Sequence, residues 1–319
     1  MRQVRDRTAG CELNAGMDIP VAPLSPLFST STTLQAMPPF LIARPAQQTA
    51  PLVFASPHSG QNYLPEFQRS ARLDAIGLRR SEDSFVDELF SLAPSHGAPL
   101  IAATFPRAYC DPNREAWELD PTMFDDPLPA WVNTTSARVG AGLGTIARVV
   151  ASGETIYRGK LRFSDAAERV HTCWEPYHLG LSALIDATRQ QFGACLLIDC
   201  HSMPGQSCNG RSVVLDAPDF VLGDAHGTTC ASRVTRRVEA VLTGFGYRVR
   251  RNDPYAGGYV TRHYGRPREH VHALQIEIAR GLYMNEARFE RTMAFTVVQQ
   301  HLSELAADLA ASATELLAT

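Results

Sequence analysis

Apolar residues in this chain gather in short unbroken runs that stop abruptly at polar ones. Leu52-Val53-Phe54-Ala55-Ser56 breaks into Pro57-His58-Ser59-Gly60, and Leu196-Leu197-Ile198 breaks into Asp199-Cys200-His201-Ser202-Met203. Ala273-Leu274-Gln275-Ile276-Glu277-Ile278 carries one carboxylate inside an otherwise apolar stretch. Such runs read as buried strands of a parallel sheet, and polar residues just past their carboxyl ends sit where open α/β sheets place ligands. Pro99 to Thr104 and Ser212 to Leu215 read as further strands, and Tyr247 to Arg250 as an edge-like one. Helical spacing predicts helices from about Asp83 to Leu92, from Ala137 to Val150, from Ser164 to Gln191 with a bend or break at Pro176, over 226–243, and from Asn285 to Leu317. The fold class is therefore α/β.

The first fifty residues lack this grammar. They are irregular, rich in Pro, Ser and Thr, and begin with Arg2, Arg5 and Arg7 without the apolar block and cleavage site of a secretory signal. Structure is expected from near Pro38, leaving residues 1–37 as an irregular extension and 38–319 as a single domain. A hydrophobic content of 45%, a charged content of 20% and a net charge of −3 describe a soluble globular protein with no bulk attraction to nucleic acid. No run approaches the roughly 20 apolar residues that span a bilayer, so no membrane partner is expected. The seven cysteines are odd in number and include no C-x-x-C pair, which argues against a disulfide framework or a zinc ribbon and for reduced thiols in the cytoplasm.

Candidate chemistry concentrates at the strand ends. A catalytic zinc takes three protein ligands, commonly two His and a carboxylate, and a further carboxylate serves as base for the metal's water. His58 and His201 suit the nitrogen pair, Glu82 or Asp83 at a helix start suits the oxygen ligand, and Glu277 suits the base. Each has a structural reading too: His58 as a hydrogen-bonded core histidine, Glu82 and Asp83 as partners of the helix dipole. A carboxylate inside an apolar strand is the hardest to explain structurally. Arg107 and Arg114, in a Pro-punctuated segment with Asp111 and Asn113, suit the grip of a carboxylate, or else pair with Asp111 and Glu115 on a solvated loop. Two loops, 120–136 and 256–265, are expected to set the pocket size. A metal-free cysteine hydrolase is a rival because Cys200 adjoins His201, yet neighbours on a strand face opposite ways. A non-catalytic carboxylate-binding protein is a second rival.

Taken together, His58 in Pro-His-Ser-Gly, Asp83 opening a helix, Asp111-Pro112-Asn113-Arg114, His201 in Asp-Cys-His-Ser-Met, Gly257-Gly258 to Tyr264-Gly265 and Glu277 in Gln-Ile-Glu-Ile resemble the N-formylglutamate amidohydrolase family, itself similar to zinc carboxypeptidases and aspartoacylase. The resemblance runs from about residue 38 to the end. It implies a three-layer sandwich around a central mixed, mostly parallel sheet of the zinc-carboxypeptidase kind. It also implies one Zn2+ per chain held by His58, Asp83 and His201, with Asp83 preferred to Glu82. Glu277 would be the base and Arg107 would stabilise the oxyanion as formate leaves N-formyl-L-glutamate, a step of histidine degradation. Asn113 and Arg114 would hold the α-carboxylate, and Thr261, Arg262 and Tyr264 the side-chain carboxylate. The chain departs from the carboxypeptidases at Gln61, where they have a ligand Glu. Other N-acyl amino acids or small peptides are the alternative substrates.

Overall fold

The apolar runs become core strands because residues on both of their faces meet an apolar layer. The computed structural model describes residues 37–205 and 217–318. Its main sheet contains β1 (Phe40–Ala43), β2 (Leu52–Ser56), β3 (Leu100–Ala103), β4 (Cys195–Met203), β5 (Phe220–Gly223), β6 (Val249–Arg251) and β7 (Val271–Ala279), in the spatial order β1-β3-β2-β4-β7-β5-β6. Strands β3, β2, β4 and β7 are parallel; β1 is antiparallel to β3, β5 is antiparallel to β7, and β6 is parallel to β5. The sheet is thus mixed and mostly parallel. The helices are α1 (Pro65–Ser70), α2 (Ala75–Arg79), α3 (Val86–Leu89), α4 (Ala137–Gly140), α5 (Phe163–Arg169), α6 (Glu175–Phe192), α7 (Ser232–Gly244), α8 (Tyr259–Tyr264) and α9 (Phe295–Leu317).

Leu52, Phe54, Leu196, Ile198, Leu274 and Ile276 pack into one core with α3, α7 and α9. Val53, Ala55, Leu197 and Ala273 pack into a second core with α1, α5, α6 and α8 on the other face. This second face changes character along the strands: Leu197 is followed by Asp199 and His201, and Ala273 by Gln275 and Glu277. The register pairs Leu197 with Ala273, Asp199 with Gln275 and His201 with Glu277, so the polar residues stand side by side. A slip of one residue would turn them into the α9 layer, where each buried aliphatic side chain contributes about 2 kcal/mol and an unpaired carboxylate is costly. The hydrophobic pattern therefore fixes the placement of the polar groups.

Several boundaries differ from the sequence reading. The β4 strand continues through His201 to Met203, so His201 lies within the strand, not beyond it. The helix expected from Asp83 begins only at Val86, because Phe85 adopts a left-handed φ of 67°. The helix expected over Ala137–Val150 stops at Gly140; Gly142, at φ 76°, supplies the left-handed residue that ends helices, and the chain continues as irregular wall. Residues 259–264 of the expected loop are helical. Asn285 starts no helix: its side-chain oxygen accepts the N–H groups of Ala287 and Arg288, and a small hairpin of β8 (Met284–Asn285) and β9 (Glu290–Arg291) precedes α9. At Pro176 the helical run from Phe163 to Phe192 passes through a wider π-type turn over Val170–Trp174, which accommodates the missing proline N–H. The turn expected at 208–211, the strand expected at Ser212–Leu215 and the N-terminal extension lie outside the described residues. Among the described residues no helix is long and apolar enough to cross a membrane.

Two buried histidines make stability depend on pH. His178 donates from Nε2 to the Pro112 carbonyl at 2.8 Å and accepts the Tyr264 hydroxyl at Nδ1 at 2.9 Å; His272 accepts the Ala231 N–H at Nδ1 at 3.1 Å. Both rings are neutral by construction, and burial pushes each down to about 4. The unfolded chain takes up these protons near pH 6.5 while the folded chain resists until about 4, so stability is lost as pH falls through that window. The expected loss is roughly 3 kcal/mol at the limit for His178 and less for His272, which solvent screens more. Urea unfolding of metal-depleted protein should show a clearly lower midpoint at pH 4.5 than at pH 7; equal midpoints would mean that the rings are not held neutral.

Candidate active site

The loop after β2, the segment before α3 and the last part of β4 bring His58, Asp83 and His201 together. One potential ligand atom from each lies within 4.8 Å of the others, and all three residues are buried. His58 Nδ1 is 3.3 Å from Asp83 Oδ2, and His201 Nδ1 is 3.1 Å from the same oxygen. The opposite ring nitrogens are held by other carboxylates: His58 Nε2 lies 2.7 Å from Asp111 Oδ1 and His201 Nε2 lies 2.9 Å from Asp199 Oδ1. Thr261 donates its hydroxyl to the second oxygen of Asp199 at 3.0 Å.

The hydrogen count shows what these residues fit. A neutral imidazole has one N–H and one lone pair, yet each ring here faces a carboxylate oxygen at both nitrogens. With Nε2–H donating to Asp111 or Asp199, both Nδ1 lone pairs converge on Asp83 Oδ2, and His58 Nδ1 is a buried atom with no hydrogen-bond partner. A cation among the two Nδ1 atoms and Oδ2 would resolve both contacts. The arrangement suits a carboxylate–histidine–metal relay, in which an outer carboxylate fixes the tautomer of the ligand. Burial opposes charge on Asp83, but the adjoining His201 and His58 rings and the nearby Arg280 hold its carboxyl well below the usual carboxylate range. Arg280 takes only Oδ1, at 3.0 Å, which leaves Oδ2 to the cluster.

Glu82 is built into other contacts. Its carboxylate accepts from Arg79, Tyr63 and Ser84, so the choice between adjacent acids falls on Asp83. Gln61 is exposed and takes no part in the cluster. Gly60 is required by the approach of two backbones: a Cβ there would lie 2.2 Å from the Phe105 carbonyl oxygen. Gly60→Ala should therefore destabilise the chain by about 3 kcal/mol through overpacking. It should also lower metal occupancy, by displacing His58 two residues away. A melting temperature and metal content like those of the unsubstituted protein would show that this crossing can relax.

A cavity of about 590 Å3 opens over the cluster, lined by His58, Asp83, His201, Glu277, Arg107, Asn113, Arg114 and Arg262 among others. Eight of the ten candidate site residues, together with Asp111, are thus reached from one space. Burial pushes the Glu277 carboxyl up to about 7, with Asp83 adding to the rise and His201 and Arg107 opposing it. Gln275 orients it, donating to Glu277 Oε1 at 2.8 Å while accepting the Gly258 N–H. Burial works against charge on Arg107, but Asp111, Asp83 and Glu277 hold it in the guanidinium form. Arg107 donates to Asp111 at 2.8 Å, and Arg114 donates to the carbonyls of Leu143 and Asn113. Thr261 and Tyr264 do not line the cavity: Thr261 holds Asp199 and Tyr264 holds His178, both behind its wall. The 120–136 loop is also absent from the lining, which comes from the 138–151 segment instead. Cys200 points into the opposite core with its thiol pushed well up by burial, which removes the cysteine nucleophile.

A profile of the N-formylglutamate amidohydrolase family matches residues 50–284. The chain belongs to this family. Curated N-formylglutamate deformylases from Pseudomonas putida and Pseudomonas aeruginosa are 30% and 31% identical over 243 residues, spanning 75% and 74% of this chain and 84% and 83% of their own lengths. The crystal structure of N-formylglutamate amidohydrolase from Ralstonia eutropha is 38% identical with a TM-score of 0.80, covering 86% of this chain and 98% of that one. A protein of Agrobacterium tumefaciens at 20% identity and a TM-score of 0.60 shares the fold.

Within this N-formylglutamate amidohydrolase family member, the sequence reading missed the groups that hold the others. Asp111 was expected to pair with arginine, and it does, but it also fixes His58. Asp199 fixes His201; its signal was its place two residues before His201, on the same face of one strand. Arg280 and Arg138 had no signal, because each reaches the cavity through tertiary packing.

Proposed function

We propose that this chain hydrolyses the formamide bond of N-formyl-L-glutamate to formate and L-glutamate with one Zn2+ held by His58, Asp83 and His201. The observation that carries the metal is the convergence of two imidazole Nδ1 atoms on one Asp83 oxygen, with a carboxylate facing each Nε2. Two imidazoles and a carboxylate are a donor set suited to catalytic zinc, which when bound lowers the pKa of its water and polarises a carbonyl. The family and the deformylase relatives support the substrate.

Glu277 is the base. It accepts a proton from the attacking water as the water oxygen bonds to the formyl carbon, and returns a proton to the amine as the C–N bond breaks. Its burial raises its basicity toward neutral pH, and Gln275 keeps it aimed into the cavity. Arg107 supplies positive charge for the oxyanion, because its guanidinium stays charged and lines the same space. Asn113 and Arg114 receive the substrate's α-carboxylate, and Arg262 lines the same cavity. Five arginines and three carboxylates line the cavity (Arg107, Arg114, Arg138, Arg262 and Arg280 against Asp83, Asp111 and Glu277), a surplus of positive charge matched to a dianion.

Formate release should be compared with N-formyl-L-glutamate, N-formyl-L-aspartate and N-formyl-L-methionine, and amine release with N-acetyl-L-glutamate. The expected result is that kcat/KM is highest for N-formyl-L-glutamate by at least about tenfold, in the range that one misplaced group costs a specific site. Faster turnover of another compound would overturn the substrate assignment and leave the centre in place.

A further inference from the structure

We propose that Arg138 is the residue by which the site selects a substrate bearing a second carboxylate; this rests on reading the substrate as an N-acyl dicarboxylic amino acid. Three of the five arginines lining the cavity are engaged by the protein itself. Arg107 pairs with Asp111 at 2.8 Å, Arg280 binds Asp83 and Ser202 at 3.0 Å each, and Arg114 is tied to two backbone carbonyls with Asp111 at 3.9 Å. Arg138 and Arg262 line the cavity without a carboxylate partner among the described residues.

Arg138 is the better placed of the two. Ser136 caps its short helix through the Val139 N–H at 3.1 Å, and the Arg138 carbonyl accepts the Leu143 N–H at 2.8 Å. The Leu143 carbonyl in turn accepts Arg114 Nε at 2.9 Å. The Leu143 backbone thus links the Arg138 main chain to the Arg114 guanidinium, and the Arg138 side chain lines the same cavity. Burial pulls Arg114 down to about 10, and the charges of Arg107 and Arg138 act in the same direction. Like charges near enough to act on each other across one cavity favour an anion between or beside them. Arg262, by contrast, has its Nε occupied by the Gly257 carbonyl at 3.2 Å. With the α-carboxylate at Asn113 and Arg114, a second carboxylate directed toward the exposed rim meets Arg138. A guanidinium offers it a paired, charge-assisted hydrogen bond that a carboxamide cannot match.

The test is calorimetric binding of L-glutamate and L-glutamine to the full chain and to Arg138→Met, Arg138→Lys and Arg262→Met, alongside formate release from the two N-formyl compounds. The expected result is that the glutamate-over-glutamine preference, in binding and in kcat/KM, falls at least tenfold in Arg138→Met, mainly through KM, and is partly restored in Arg138→Lys. Arg138 is exposed, so these variants should fold, and unchanged melting curves would verify it. An unaltered preference in Arg138→Met, or a collapse seen only in Arg262→Met, overturns the proposal. A wild-type chain that releases no formate yet binds glutamate in an Arg138-dependent way would sink the substrate assignment above and sustain this one.

Discussion

Glu277→Gln lowers formate release from N-formyl-L-glutamate by about a thousandfold, within the range that general acid–base groups contribute, and leaves fold and metal content unchanged. The substitution is nearly isosteric, and the oxygen facing Gln275 still accepts its N–H, so the side chain keeps its place beside His201 on the neighbouring strand. What it loses is the capacity to take a proton. Burial pushes the carboxyl up to about 7, so the group that is removed is a base matched to neutral pH. The measurement is steady-state turnover with metal analysis of the same sample. Near-normal turnover contradicts the assignment, and loss of turnover together with metal would make Glu277 a support of the centre.

Asp83→Asn acts on the other part of the machinery and should remove the metal itself. Asp83 Oδ2 faces both histidine Nδ1 atoms, and Oδ1 faces Arg280 at 3.0 Å, so one substitution removes a ligand charge and leaves a buried guanidinium without its counterion. Metal affinity should fall by more than the 10- to 100-fold typical of an outer partner, and breaking the buried pair should destabilise the chain by about 3–5 kcal/mol. Metal content after dialysis and the midpoint of urea unfolding report the two effects separately. If Asp83→Asn binds metal and turns over normally, the oxygen ligand lies elsewhere; Glu82 is then a poor substitute, since Arg79, Tyr63 and Ser84 already hold it.

The contrast between these two variants follows from what the chain encodes locally and what it does not. That His58, His201 and Glu277 share one cavity was legible because His58 follows an apolar run and the other two break into one, and a buried polar residue there needs a tertiary reason. The α/β class was legible for the same reason: continuous apolar runs have two buried faces. Position along the strand was less legible, and β4 proved long enough to carry His201 inside it. The local chemistry of Asp83 did not separate it from Glu82; the separation comes from Tyr63 and Arg79, which meet Glu82 only in the folded chain. Thr261 and Tyr264 had suitable hydrogen-bonding groups but face Asp199 and His178, because residues 259–264 wind into a helix that turns them away from the cavity. Arg138 carried no signal because the helix expected over 137–150 stops early: Gly142 ends it and lets the following segment form the wall that carries the pocket.

The most direct measurement is metal content and formate release from N-formyl-L-glutamate, made on the same purified chain before and after chelation and again after zinc is restored. The account predicts about one zinc per chain for a single three-ligand centre, formate release that disappears with the metal, and recovery on its return. Formate release that persists at full rate in metal-free protein would contradict it.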